Sequence, residues 1–215
     1  MKKDLPAWRG VVQEVARQAT LDEAELRWGT RELPFNYRWE HVQAVVRLAI
    51  RLAELTGADR EIVEAAAWLH DTRKRGRDDD HGRDGAAAAR QTLTETDFPP
   101  GKIDAVADAI AKHVGLFTDT PVEPLEAAVL WDADKLSKLG ATAVLHLSGY
   151  QIAGSRGTTE QLLERMTNQG WQPEAVRSFH TRPAQLAGQQ RWDAFRSFWE
   201  QLARELDGKD LRSRD

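Results

Sequence analysis

The stretch WEHVQAVVRLAIRLAELTG, residues 39–57, decides the fold of this chain. Its apolar residues recur at intervals of three and four, which is the spacing of one face of an α-helix. Those apolar positions are Val42, Val45, Val46, Ala49, Leu52 and Leu55. His41 lies on the same face, four residues before Val45 and eleven before Leu52. The sequence therefore predicts a long buried helix, ended by Gly57, that carries a histidine among its core residues.

The same spacing recurs along most of the chain. No stretch shows the alternation of apolar and polar residues, flanked by hairpin turn residues, that predicts a β-strand. Helices are predicted at about 8–28, 39–55, 59–70, 85–96, 103–114, 123–139 and 184–206. The charged segment Arg73–Asp84 is predicted to be a loop, and the three glycines between Gly149 and Gly157 predict a flexible connection. An all-α bundle is the predicted fold.

The last predicted helix carries an aromatic and aliphatic stripe. Its members are Leu186, Trp192, Phe195, Phe198, Trp199 and Leu202. Such a stripe at helical spacing predicts core packing, and a homodimer face is the alternative.

The composition is that of a globular protein and excludes several classes of function. The 215 residues include 30 Lys+Arg and 34 Asp+Glu, which gives a net charge of −4, with 41% hydrophobic residues. This weakly acidic balance argues against general binding of nucleic acid or anionic membrane. With no cysteine, a disulfide scaffold, a thiol nucleophile and an iron–sulfur cluster are excluded. No signal peptide or membrane span is evident, so we expect a soluble cytoplasmic protein.

Several residues that can bind a metal lie on otherwise apolar helix faces. Besides His41, they are His70 with Asp71 beside it, His113 and Asp134. One histidine on such a face is usually a hydrogen-bonded core residue, but a buried carboxylate must be paired or bound to a cation. Facing helices of a bundle can bring such side chains to one point. A set of imidazoles and carboxylates without sulfur suits Mn²⁺, Fe²⁺, Co²⁺, Ni²⁺ or Zn²⁺.

The consecutive pair His70-Asp71 restricts where the site can lie. Neighbouring side chains on an α-helix point about 100° apart. Both can therefore reach one cation only where the helix ends and the backbone turns. The polar residues that follow the pair can supply such an end.

Together these residues resemble the H…HD…D signature of the HD-domain superfamily of metal-dependent phosphohydrolases. The likeness lies in HVQAVVRLA at His41, AAAWLHDTRK around the doublet, LWDADKLSKLGA around Asp134, DHGRDGAAAAR, and IAKH at His113. The tail HTRPAQLAGQQRWDAFRSFWEQL is similar to that of small stand-alone bacterial HD hydrolases. The resemblance implies a single HD-type domain over 1–215, with a core at about 37–147. Helices within 5–29 and 158–207 would pack on that core.

The resemblance also implies a set of metal ligands. They are His41, His70, Asp71 and Asp134. Asp132 competes with Asp134, because periodicity alone does not choose between the two carboxylates. The family's A-D-x-L pattern matches residues 133–136 and so favours Asp134, which leaves Asp132 as a residue that orients a ligand or a water.

Basic residues after the doublet are candidates for binding substrate. Lys74 lies where many HD proteins have a lysine, and it could contact a phosphate. Arg73, Arg75 and Arg77 lie in the same segment, beside the expected metal. Charge-assisted donors next to a cation suit a polyanionic substrate. The alternative is a solvated loop in which aspartates nearly cancel the basic residues.

His81 and His113 have several candidate roles. Each could be a general acid, a phosphate donor or a ligand of a second metal. Two-metal HD enzymes usually have more chain between the doublet and the next histidine. Because His81 is only ten residues after Asp71, one metal ion is favoured.

The resulting hypothesis is a phosphohydrolase that uses a metal-activated water. Its substrate would be a phosphorylated small molecule, expected to be a nucleotide cleaved at a phosphomonoester, pyrophosphate or phosphodiester bond. Asp71 or Asp132 would orient the water, and His113 or His81 would protonate the leaving oxygen. Mn²⁺ is favoured, with Fe, Co, Ni, Zn and Mg as alternatives. A di-iron oxygenase of the HD fold and a non-catalytic nucleotide-binding module are the competing hypotheses.

Overall fold

The computed structural model of the protein describes residues 5–75, 80–154, 157–168 and 170–211, and in these ranges it contains helices and no strands. The helices are α1 (Trp8–Trp28), α2 (Tyr37–Thr56), α3 (Arg60–Leu69), α4 (His81–Thr94), α5 (Ile103–Lys112), α6 (Leu125–Leu136), α7 (Gly140–Gly154), α8 (Thr159–Thr167), α9 (Gln172–Arg177) and α10 (Arg182–Leu206). A single 3₁₀ turn at Pro100–Lys102 precedes α5. The prediction of an all-α fold is confirmed. None of the helices seen in these ranges has the length and apolar character needed to cross a membrane.

Capping residues define where α2 and α3 begin and how short the turn between them is. The side chain of Asn36 accepts the backbone N–H of Trp39 at the start of α2, and Gly57 ends the helix at a φ of 79°. The Asp59 carboxylate then accepts the N–H groups of Glu61 and Ile62 at the start of α3. Because two helices joined by so short a turn pack antiparallel, the start of α2 and the end of α3 lie at the same end of the bundle.

The fold is organised around α6, which contacts α2, α3, α5 and α10. Every residue from Ala127 to Leu136 in this helix is buried. Half of these side chains join one hydrophobic cluster with residues of α1 to α5. Polar residues of α6 are therefore held away from solvent and must find partners inside the protein.

The C-terminal helices form a second, smaller hydrophobic cluster. Its buried members are Ala143, Val144, Met166, Phe195 and Trp199, from α7, α8 and α10. Part of the predicted α10 stripe is thus core, as expected, while Leu186 and Phe198 are exposed. The carboxylate of Asp132 accepts the backbone N–H groups of His180 and Thr181, which ties the start of α10 to α6.

Two predicted loops are wrong in extent. The connection predicted at 149–157 is helical as far as Gly154, the end of α7, and residues 155–156 lie outside the described ranges. Gly149 lets the ring of Phe35 pack closely against α7, since a Cβ at this position would be 2.5 Å from that ring. The loop predicted to end at Asp84 also stops earlier, because α4 begins at His81.

Two glycines on helices offer a matched test of this packing. A Cβ at Gly188 in α10 would overlap the ring of Phe179, whereas a Cβ at Gly10 in α1 would meet nothing within 4 Å. We expect Gly188→Ala to lower the free energy of unfolding by about 1–3 kcal/mol, because the ring must move. Gly10→Ala should leave it unchanged or raise it by up to about 1 kcal/mol through helix propensity. Thermal and urea unfolding would measure both, and equal effects at the two positions would contradict the packing.

Candidate metal centre

Six buried residues from five parts of the chain converge at one end of the bundle. His41 comes from α2, while His70 and Asp71 lie just past the last residue of α3. His81 is the first residue of α4, His113 follows the last residue of α5, and Asp134 lies on α6. All six are buried, with Asp71 the most exposed at 8%. The four residues that sequence analysis favoured as ligands are therefore in this cluster, together with His81 and His113.

The four residues of the H…HD…D pattern surround one point. His41 Nε2 lies 3.4 Å from His70 Nε2, 3.6 Å from Asp71 Oδ2 and 3.2 Å from Asp134 Oδ1. His70 Nε2 lies 3.5 Å from Asp71 Oδ2 and 4.0 Å from Asp134 Oδ1. Ligand atoms bonded to one ion at about 2.0–2.2 Å are separated by distances of this order. The spacing fits a shared cation.

The tautomers of the two histidines support that fit. His70 Nδ1 lies 2.7 Å from the carbonyl oxygen of Ala67, to which it can only donate, so His70 Nε2 carries a lone pair. The hydroxyl of Ser137 donates to the carbonyl oxygen of Asp134, so its oxygen accepts from His41 Nδ1 at 3.0 Å. The two Nε2 lone pairs therefore face each other with no proton between them. A cation at that point removes the repulsion and uses both lone pairs.

A second group of ligand atoms shares Asp71 with the first. Oδ1 of Asp71 lies 3.6 Å from His81 Nε2 and 3.5 Å from His113 Nε2. His113 Nδ1 lies 2.6 Å from the carbonyl oxygen of Ile110, which leaves its Nε2 as an acceptor directed at the carboxylate. However, the Lys74 ammonium lies 3.3 Å from His81 Nε2 and competes for that nitrogen. The geometry offers a second cation position whose occupation would require Lys74 to move.

Asp71 is held by a buried arginine. The Arg38 guanidinium donates to Asp71 Oδ2, and both side chains are buried. Burial acts to raise the pKa of Asp71, but the charge of Arg38 and the neighbouring histidines hold that pKa well below its ordinary value. Asp71 is therefore an ionised carboxylate in the free protein. The Nε of Arg38 has no hydrogen-bond partner.

Asp134 is held by two lysines. Lys135 Nζ donates to Oδ2 at 2.8 Å, and Lys138 Nζ donates to Oδ1 at 2.6 Å. Burial acts to raise the pKa of Asp134, but these two ammonium groups hold it well below its ordinary value. Lys135 also donates to the carbonyl oxygen of His113 at 2.5 Å and lies over the ring of Trp131. It thereby fixes the end of α5 against α6.

Burial lowers the pKa of two histidines in the cluster, His70 and His113. For His70 it lowers the pKa to about 3, against the opposing effect of Asp71. For His113 burial also lowers the pKa, and Asp71 again opposes the shift. Both imidazoles are therefore neutral at pH 7, which is the state that binds a metal.

The cluster opens into a cavity of about 660 Å³, which we call the polar cavity. Its charged lining, among the described residues, consists of the carboxylates of Asp71 and Asp134 and the cations of Arg27, Arg38, Lys74 and Lys138. His81, His113, Tyr37 and Trp171 also face it. Cations outnumber carboxylates along this wall, so the cavity favours an anionic ligand even before a metal ion is considered.

Three predicted site residues lie elsewhere. The carboxylate of Asp132 faces the start of α10, where it accepts the N–H groups of His180 and Thr181, and burial raises its pKa to about 6 against these hydrogen bonds. The role of Asp132 in orienting a ligand or a water at the metal stays a prediction. Arg73 and Arg75 line a separate cavity against α1, and of the predicted basic side chains in the described residues only Lys74 reaches the polar cavity. Arg77 lies outside the described residues.

Sequence analysis missed Arg38, Lys138 and Lys135. Two of them could have been found from helical spacing, since Arg38 precedes His41 by three residues and Lys138 follows Asp134 by four. Residues at these intervals share a helix face with the ligand. Nothing in the sequence indicates that Lys135 turns inward, because α6 is buried on all sides.

Comparison with known proteins agrees with this geometry. A family model for the HD domain matches residues 38–139. Among solved structures, a predicted HD superfamily hydrolase from an uncultured Thermotogales bacterium has a TM-score of 0.64 at 22% identity, over 94% of each chain. Bacillus subtilis YpgQ in complex with ADP has a TM-score of 0.62 at 21% identity, over 94% of this chain and all of the other. An HD-superfamily hydrolase from Bacillus thuringiensis has a TM-score of 0.58 at 20% identity, over 91% and 98%. The match thus identifies residues 38–139 as an HD domain, and this segment contains all six residues of the cluster.

Proposed function

We propose that this protein is a metal-dependent phosphohydrolase that acts on a nucleotide. The observation that carries the proposal is a buried His/Asp cluster open to a cavity in which cationic side chains outnumber carboxylates. Such a cavity suits phosphate groups, which need both charge compensation and directed hydrogen bonds. The solved structure of YpgQ with ADP supports a nucleotide as the substrate class.

The metal ligands in this proposal are His41, His70, Asp71 and Asp134. A divalent ion held there supplies a water of lowered pKa and a positive charge beside a phosphoryl oxygen. We favour Mn²⁺ because the donors are nitrogen and oxygen without sulfur. Arg38 and the two lysines on Asp134 keep both carboxylates ionised and oriented for this role.

Substrate phosphate is bound by the cations that line the polar cavity. Lys74, Lys138 and Arg38 all line it. Arg38 donates to Asp71 and Lys138 donates to Asp134, so a phosphate near the metal can contact them. They offset the charge that accumulates on phosphoryl oxygens during in-line displacement.

His81 is the proposed proton donor to the leaving oxygen. Its Nε2 lies in the polar cavity and is 3.3 Å from Lys74 Nζ, and burial lowers the pKa of that lysine. A proton given up by His81 can thus be replaced from Lys74 or from solvent. His113 is less suited to this role, because its low pKa keeps it neutral.

The second group of ligand atoms favours one alternative, a two-metal site. Asp71 would then bridge two ions, with His81 and His113 completing the second site. A di-iron oxygenase is the version of this alternative that differs in chemistry. Metal content separates the cases, since the proposal requires one ion per chain and the oxygenase requires two irons.

We expect Asp71→Asn and Asp134→Asn to abolish both Mn²⁺ binding and release of phosphate or pyrophosphate from a nucleotide panel. Each change keeps the shape of the side chain but removes the charge that the ligand set needs. Asp132→Asn is the matched control and should retain Mn²⁺, because its carboxylate faces α10.

Metal analysis and product release would be measured on all four proteins. Full activity in Asp71→Asn would contradict the proposal. Tight nucleotide binding by metal-loaded wild type without turnover would favour the non-catalytic binding module.

We expect Arg38→Met to reduce activity by about 10–100-fold, since residues that orient a ligand typically have effects of this size. The change leaves the buried Asp71 carboxylate without its partner and raises its pKa. Arg51→Met, on the exposed side of the same helix, is the control. Wild-type activity and Mn²⁺ affinity in Arg38→Met would show that Arg38 has no role at the site.

The number of ions is tested by His81→Ala. We expect wild type and His81→Ala to bind one Mn²⁺ per chain, while His70→Ala binds none. Equilibrium dialysis followed by elemental analysis gives the count. Two ions in wild type and one in His81→Ala would replace the proposal with the two-metal site.

A further inference from the structure

A second cavity shares a wall with the polar cavity. It has a volume of about 170 Å³, and Arg27, Tyr37 and Arg38 line both. The second cavity lies between the end of α1, the segment leading into α2, and α7. The two cavities therefore lie on either side of these shared residues, close enough for one ligand to contact both.

The lining of the second cavity is mainly aromatic, and we call it the aromatic cavity. Its rings are those of Trp28, Phe35, Tyr37 and Tyr150. The ring of Tyr150 lies 5.4 Å from that of Tyr37 and 5.7 Å from that of Trp28, both edge to face. Rings arranged in this way present both faces and edges to a planar occupant.

The side chains of Tyr150, Arg27 and Asn36 at the aromatic cavity already have hydrogen-bond partners. The hydroxyl of Tyr150 accepts a hydrogen bond of 2.8 Å from Arg27, which also pairs with Glu23 at 2.9 Å. The side chain of Asn36 donates to the carbonyl oxygen of Thr20 and accepts from Trp39. The lining thus offers ring and aliphatic surface beside charges that are paired with one another or with Asp71, which suits a flat, uncharged group.

The size agrees with an aromatic occupant. A closed cavity of about 150 Å³ is enough for benzene. The aromatic cavity is slightly larger and borders the polar cavity at Arg27, Tyr37 and Arg38, so one ring of a base fits beside the phosphate site. Stacking of a base on aromatic side chains contributes about 1–3 kcal/mol and does not require a particular base.

We propose that the aromatic cavity binds the base of the nucleotide whose phosphates lie in the polar cavity. This inference rests on the proposed function for the choice of ligand, and it names the part of the protein that selects nucleotides over other phosphates. Phe35 and Tyr150 are the specificity residues, and Arg38 lies at the junction between base and phosphate.

The test measures binding without catalysis. Calorimetry in Mn²⁺ compares the α,β-methylene analogues of ADP and CDP, which lack the cleavable anhydride, with methylenediphosphonate, which lacks the base and ribose. The proteins are wild type, Phe35→Leu, Tyr150→Leu and the matched control Phe198→Leu, whose ring is exposed on α10. Trp171→Leu tests the other aromatic side of the polar cavity.

We expect wild type and Phe198→Leu to bind the nucleotide analogues at least about tenfold more tightly than methylenediphosphonate. Phe35→Leu and Tyr150→Leu should lose most of that preference, with melting temperatures recorded to show that both fold. A wild-type preference in both variants overturns the proposal, as does a loss confined to Trp171→Leu. Equal or undetectable binding of all probes by wild type overturns it as well. Base preference without turnover of natural nucleotides would support the aromatic cavity and contradict the hydrolase.

Discussion

The structure depends on charge compensation for two buried carboxylates, Asp71 and Asp134. An ionised group removed from water costs several kcal/mol unless cations and hydrogen bonds surround it. Here Arg38 approaches Asp71, and two lysines approach Asp134. Meeting this requirement brings α2, α3, α5 and α6 to one point, and α6, which is buried from Ala127 to Leu136, carries Asp134 and Lys135 into the centre. The same geometry that removes the energetic penalty leaves carboxylate oxygens facing imidazole nitrogens, where a divalent ion can bind.

The histidines obtain their orientation from the ends of helices. A helix leaves its last carbonyl groups without partners. His70 Nδ1 donates to Ala67 O at the end of α3, and His113 Nδ1 donates to Ile110 O at the end of α5. In both cases one hydrogen bond satisfies a carbonyl group in the last turn and fixes the tautomer that directs Nε2 into the cluster. Helix termination and ligand orientation are thus the same interaction, which is why the doublet lies past the last residue of α3 rather than within it.

Sequence periodicity predicted the helices and placed His41 on a buried face, because one-sided burial leaves a pattern of three and four. Periodicity could not separate Asp132 from Asp134, since a helix buried on all sides has no polar face that shows which side chain points to the site. The family's A-D-x-L pattern favours Asp134. The structure places the Asp134 carboxylate in the cluster. The prediction that all the basic residues after the His70-Asp71 doublet face the substrate fails for a different reason. Charge predicts what a side chain can bind but not where the backbone turns, so Lys74 reaches the polar cavity while Arg73 lies against α1. Gly149 was misinterpreted as flexible because a glycine that permits close packing looks the same in sequence as one that permits bending.

The division of the site between core and flanking helices has a physical basis. The four candidate ligands of the H…HD…D pattern lie within residues 38–139, whereas all four rings of the aromatic cavity lie outside that range, on Trp28, Phe35, Tyr37 and Tyr150. A chain of polar contacts joins the two regions. Arg27 donates a hydrogen bond to the Tyr150 hydroxyl and forms an ion pair with Glu23. Glu23 in turn lies 4.0 Å from the Arg38 guanidinium, which donates to Asp71. Positions in the core are constrained by the ligand geometry, but a ring lining the aromatic cavity can change without altering the carboxylates or their partners. Under the proposed function, substitutions in α1 and α7 would therefore change binding of the base and leave the four candidate ligands in place.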